Sequence, residues 1–108
     1  MRRIKNYELD RQVFDRPILM YTDKDGMHRV EVNAKDKDEI EVFRDGEATY
    51  VVSWNTRLGY VGLERFVGHE KTGEIFLQNS QDVEACLGRR GLDLTPMSMV
   101  KRLVEYVT

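Results

Sequence analysis

One cysteine, two prolines and two histidines are all that this 108-residue chain holds of the residues that staple, kink or ligate. A lone Cys86 excludes an internal disulfide and suits a reducing compartment, so a cytoplasmic placement is expected. His28, His69 and one thiol are too few for a closed zinc site unless carboxylates converge on them, and no metal or cofactor is expected. Apolar runs span only a few residues, far below the ~20 that a membrane-crossing helix needs. No apolar stretch follows Met1-Arg2-Arg3-Ile4-Lys5, which argues against a signal peptide. Surplus charge is missing too. Seventeen basic and 19 acidic residues leave −2, which gives no overall pull toward nucleic acid or an anionic membrane.

What is present describes a folded sheet. At 41% hydrophobic and 33% charged, the composition is that of a globular protein, and the length suits a single domain over residues 1–108. Three polar turns, Asp23-Lys24-Asp25-Gly26, Arg44-Asp45-Gly46-Glu47 and Glu70-Lys71-Thr72-Gly73, separate runs rich in β-branched and aromatic residues, which predicts sequential hairpins. The third hairpin is expected to turn at Thr72-Gly73. The clearest strand is Ala48–Trp54, where Ala48, Tyr50, Val52 and Trp54 alternate with Thr49, Val51 and Ser53. Gly59, Gly62 and Gly68 suggest bulges or a bend in the run 58–69. Residues 1–16 read as an arm or edge strand, broken by Asp15-Arg16-Pro17. The charged loop 34–39 should be solvated and mobile.

Beyond residue 79 the period changes from two to about 3.6. Ser80 is the expected N-cap of a short helix with Val83, Cys86 and Leu87 on its apolar stripe, ended by Gly88 or Gly91. Thr95-Pro96 opens a second helix, whose stripe is Val100, Leu103, Val104 and Val107 with Met97 and Met99 at the margin. The prediction is an α+β fold: an antiparallel sheet of five to six strands built from hairpins, with two C-terminal helices (residues 80–108) packed on it.

Motifs that would carry chemistry fail on inspection. Asp23-Lys24-Asp25-Gly26 matches a fragment of a calcium loop, but the first ligand position falls on Tyr21 and the closing acid on Val32. His69-Glu70 begins like a zinc-protease motif, yet Gly73 stands where the second histidine belongs. Cys86 shares an apolar stripe with Val83 and Leu87, so it reads as a small hydrophobe despite nearby Arg89 and Arg90. Gly59-Tyr60-Val61-Gly62 has the spacing of a nucleic-acid-binding Gly-x-x-Gly loop but lies in a strand-like run. Arg57 with Gly59-Tyr60 matches part of an RNA-recognition strand, where Val61 replaces the required small residue. Phosphate-binding loops, nucleophile elbows and paired cysteines are absent, and no catalytic residue is assigned.

The candidate partner-binding residues are Trp54, Arg57, Tyr60, Arg65 and Phe66, the types that anchor protein interfaces and also stack on unpaired bases. The competing reading makes Trp54 and Tyr50 core residues. A second candidate is the acidic stretch with Asp36, Asp38 and Glu39, suited to a basic partner or to plain solvation. The sequence therefore points to a small non-catalytic protein that acts by binding another protein, of inhibitor, immunity or antidefence type. The alternatives are a nucleic-acid-binding regulator using Arg2, Arg3, Lys5, Arg89 and Arg90, and an enzyme whose site is assembled only in the fold. An open sheet edge would permit a homodimer.

Overall fold

The computed structural model describes residues 1–10, 16–34, 36–90 and 93–108. Within them run eight strands: β1 Arg2–Ile4, β2 Glu8–Asp10, β3 Ile18–Asp23, β4 Gly26–Glu31, β5 Glu39–Asp45, β6 Ala48–Trp54, β7 Val61–Val67 and β8 Glu70–Leu77. Helices α1 (Ser80–Leu87) and α2 (Pro96–Leu103) follow, and α2 tightens into a 3-10 turn over Val104–Tyr106. The α+β arrangement expected from the sequence is present, with the helices at the C-terminal end. The strands, however, divide between two antiparallel sheets, ordered β1-β5-β6-β7-β8 and β2-β3-β4. Residues 1–10 supply a strand to each, so the amino-terminal arm crosses from the larger sheet to the smaller. The expectations for residues 11–15 of the arm, residue 35 of the charged loop and Gly91 lie outside the described residues.

Alternation along β6 explains the layering. Tyr50 and Val52 pack with Phe43, Leu63, Val83, Leu87, Met99, Val100 and Leu103 beneath the helices. Val51, from the opposite face, packs with Leu19, Tyr21, Val30, Val42 and Phe66 against the smaller sheet. The larger sheet is thus the middle layer, and β6 is buried along both faces. Trp54 is half-buried against the helix-side core. Met99, expected at the margin of the α2 stripe, lies fully inside it.

Gly26 (φ 112°) and Gly46 (φ 59°) sit in the first two hairpin turns as expected. The third hairpin differs. Val67 pairs with Glu70, so the turn is Gly68-His69, with Gly68 at φ 64° where a side chain would be strained. Gly73 lies within β8, and its small size serves close approach: a Cβ there would overlap the Val107 carbonyl oxygen. Arg65 pairs with Gly73 but Phe66 with Lys71, leaving Thr72 as the extra residue of a bulge. The register irregularity therefore falls at Arg65/Phe66 rather than at Gly59 or Gly62.

The helix caps follow the same physical rules with one shift. Asn79, not Ser80, is the N-cap of α1, accepting a hydrogen bond from the Asp82 amide at 2.9 Å. Gly88, in the left-handed conformation, ends that helix. Thr95 caps α2 by accepting from the Ser98 amide, and Pro96 fills the first turn. Among the described residues no helix is long and apolar enough to cross a membrane.

Candidate functional site

The connection from β6 to β7 places Trp54, Arg57 and Tyr60 together. Its backbone closes on itself: the Asn55 amide donates to the Tyr60 carbonyl at 2.8 Å, and the Gly59 amide to the Asn55 carbonyl at 2.7 Å. The Asn55 side-chain oxygen accepts from the amides of Arg57 (3.0 Å) and Leu58 (2.9 Å). Loop 55–60 is also tied to the preceding acidic stretch. The Thr56 amide donates to Asp38 Oδ1 at 2.8 Å and its hydroxyl donates to Asp38 Oδ2, while Asn55 Nδ2 donates to the Asp36 carbonyl. Those two Thr56 bonds hold the Asp38 carboxyl below its ordinary value, with the Arg57 charge a smaller contribution.

Two side chains stand outward from this fixed backbone. Arg57 is exposed, and Leu58 is 46% exposed. They border a cleft of about 340 Å³ whose other wall is α1 and the residues after it, through Val83, Glu84 and Arg90. Arg90 is held by Asp93 at 3.1 Å, which raises its already high pKa.

The remaining candidates lie elsewhere. Phe66 is 1% exposed and belongs to the core between the sheets, with the Lys71 ammonium over its ring. Arg65 is half-buried on β7, donating from Nε to Tyr50 Oη at 3.1 Å and from Nη1 to Thr72 Oγ1 at 2.9 Å. Asp36 and Asp38 act as braces for the loop, and Glu39 is exposed at the start of β5. The stretch 34–39 expected to be solvated buries the Lys37 side chain, and burial lowers that ammonium's pKa despite the opposing Asp36 charge. The exposed loop leucine was missed because an isolated Leu in a glycine-rich run carries no periodicity to set it apart.

No protein-family model, curated protein or solved structure matches the chain. Function must therefore be argued from its groups alone. Two polar clusters other than the loop bear on the question.

The first joins the two sheets. Asp23, nearly buried, accepts from His28 Nε2 (2.8 Å), the Asp25 amide (2.9 Å) and Arg2 Nη2 (3.1 Å), with Arg44 Nε at 3.7 Å. Arg44 is itself buried and donates to Thr49 Oγ1 at 3.1 Å, and the Tyr21 hydroxyl bonds that same threonine. Burial pushes the Asp23 carboxyl up, but the His28 hydrogen bond, the Asp25 amide and the His28 and Arg44 charges outweigh it, leaving it below the ordinary value. A histidine held by a carboxylate is what an enzyme would need. Here the carboxylate is shared among four donors or charges, and His28 is stacked on Tyr21 with ring centroids 4.7 Å apart. The arrangement braces the layers.

The second cluster surrounds Glu64, fully buried on β7. Its oxygens accept from the Asn33 amide at 3.1 Å each and from Lys71 at 2.7 Å. Burial raises the Glu64 carboxyl above its ordinary value, the bonds from Lys71 and Asn33 offset this only in part, and Glu74 adds to the rise. Among the described residues no group of three or more His, Cys, Asp or Glu is arranged to hold a metal ion.

Proposed function

We propose that this chain is a small non-catalytic binding protein that occupies the surface of a protein partner, in the manner of an inhibitor, immunity or antidefence protein. The observation that carries this reading is the β6–β7 connection: a backbone fixed by its own hydrogen bonds presents Leu58 and Arg57 outward beside a cleft. Association costs free energy for every segment it must order, and a loop already held by Asn55, Asp38 and Thr56 avoids much of that cost. Leu58 supplies an apolar contact and Arg57 a directional cation, with half-buried Trp54 and Tyr60 at the two ends of the loop. The nucleic-acid reading has less support, since Arg2 and Arg3 are engaged by Asp23 and Glu41. The single cysteine keeps the proposed setting cytoplasmic.

The test is site-specific photo-crosslinking in the native host. A photoreactive amino acid in place of Leu58 should give one discrete protein adduct, and the same group in place of Met27, 74% exposed on the smaller sheet, should not. Equal adduct patterns from both positions, or none at Leu58, would refute the reading.

A further inference from the structure

The cationic lining of the cleft does not end at Arg90. Arg89 precedes Arg90, and Gly88 precedes Arg89 at the end of α1. A Cβ placed on Gly88 would stand 3.5 Å from Arg102 Nη1, so the α2 guanidinium lies against the end of α1. Arg57, Arg90, Arg89 and Arg102 therefore form one continuous basic band, from the β6–β7 loop across the end of α1 to α2. Arg57, Arg89 and Arg102 are exposed and have no ion-pair partner within 4.0 Å among the described residues, whereas Arg90 is held by Asp93. The acids along the band are few. Asp38 is taken up by Thr56 and Asp93 by Arg90, while Glu84 faces the cleft, where its charge acts on Arg90; Glu105 lies in the 3-10 turn after α2.

This band is local, in a molecule of net charge −2. Three unpaired guanidinium groups beside an exposed leucine, on a chain repelled overall by polyanions, are a pattern of complementarity to one surface. We infer that the partner presents an acidic protein surface with an apolar residue among its acids, the acids meeting Arg57, Arg89 and Arg102 and the apolar group resting on Leu58. The inference rests on the protein-binding reading above and adds the partner's chemistry. A protein is favoured over nucleic acid because an exposed leucine stands beside Arg57, with Trp54 and Tyr60 half-buried where a base-stacking platform would need their faces free.

The experiment uses a short Glu- and Asp-rich peptide with one central Phe, followed by amide chemical shifts. The peptide should perturb residues 57–59, 88–90 and 102, and its affinity should fall as salt rises. The triple variant Arg57→Glu, Arg89→Glu, Arg102→Glu should weaken it by roughly tenfold or more, with the Arg→Gln triple in between. Perturbations elsewhere, or indifference to the charge reversals, would overturn the inference. A single-stranded DNA oligonucleotide that binds the band more tightly than the peptide would overturn it in favour of nucleic acid. A Leu58 adduct that forms in the triple-Glu variant as readily as in the wild type would leave the protein-binding reading standing and remove the acidic partner. Loss of the wild-type Leu58 adduct alone would count against that reading, while the peptide experiment still decides the chemistry of the band.

Discussion

The Lys71 ammonium stands 2.7 Å from the carboxylate of Glu64, a group with no exposure to solvent, and 2.9 Å from Glu74 beside it. Burial works against the charge that Lys71 stabilises, and burial wins. The folded-state pKa of Glu64 lies above its ordinary 4.5, so folded protein takes up this proton more readily than the unfolded chain. Its contribution to stability is therefore complete below about 4.5 and is lost as pH rises through the folded-state value. Glu64→Gln, which keeps an acceptor for the Asn33 amide, should remove that dependence. Urea unfolding at about pH 7 and about pH 5 should show wild type gaining on the variant as pH falls. A constant difference would contradict the assignment.

Lys71→Ala tests the other partner. It leaves the buried carboxylate without its cation, which costs about 3 kcal/mol at neutral pH. Combining it with Glu64→Gln should recover most of the loss. Urea midpoints of the two single variants and the double variant provide the cycle, and additive losses would show that the pair is not coupled.

Asp23 has the opposite sign. Its pKa is lowered, so its contribution is present above the ordinary 3.8 and disappears as pH falls through the lower folded-state value. Asp23→Asn leaves Arg44, 7% exposed, without its buried counter-charge and should cost about 3 kcal/mol at neutral pH, read from urea unfolding. Asp25→Asn, at a position 53% exposed and 4.0 Å from the same guanidinium, should change stability by less than about 0.5 kcal/mol.

Asp38→Ala should act locally. Losing the two Thr56 bonds frees the β6–β7 loop, so amide exchange at Thr56, Arg57 and Leu58 should quicken while β6 and β7 stay protected. Binding through Leu58 should weaken although no contact residue has changed. Unaltered exchange in the loop would remove the case for its pre-ordering.

Gly73→Ala sets its Cβ against the Val107 carbonyl and should cost about 2 kcal/mol in thermal or urea unfolding, with the C-terminal turn displaced. Gly46→Ala, where the space is open but φ is 59°, should cost about 1 kcal/mol through backbone strain alone.

Those two glycines show why the fold was only partly legible. Gly46 announced its turn because polar neighbours and flanking strands agree with its positive φ. Gly68 and Gly73 lie five residues apart, and sequence alone does not separate a glycine needed for a turn from one needed for close approach. The distinction depends on Val107, more than thirty residues away. Asn79 and Ser80 are both good caps, and the end of β8 at Leu77 leaves room for Asn79 to take the position. The split into two sheets was hidden for a similar reason, because hairpins are local while the docking of β2-β3-β4 on the larger sheet is not.

The candidate site was read through residue type, and the structure brings together those of its side chains that lie near one another in the chain. Arg57 and Tyr60 belong to one short connection, and Trp54 ends the strand before it. Phe66 looked like an anchor by residue type, yet it is core, and Glu64 near it is buried through a lysine seven residues away and an amide from the β4–β5 connection. Asp38 looked like one charge in a run and is a brace. The basic residues were illegible as a group because Arg57 shares a cleft with Arg90, and Arg102 reaches the end of α1, only after the helices dock.

The bulge at Thr72 has a consequence for how the molecule behaves in a crowd. β8 is an eight-residue strand at the edge of the larger sheet, long enough to template another chain. The extra residue divides that edge into two short lengths with different registers, and Glu70, Lys71 and Glu74 add charge along it. A second strand arriving there cannot run a continuous ladder, so one inserted threonine helps keep copies of this protein from zipping together.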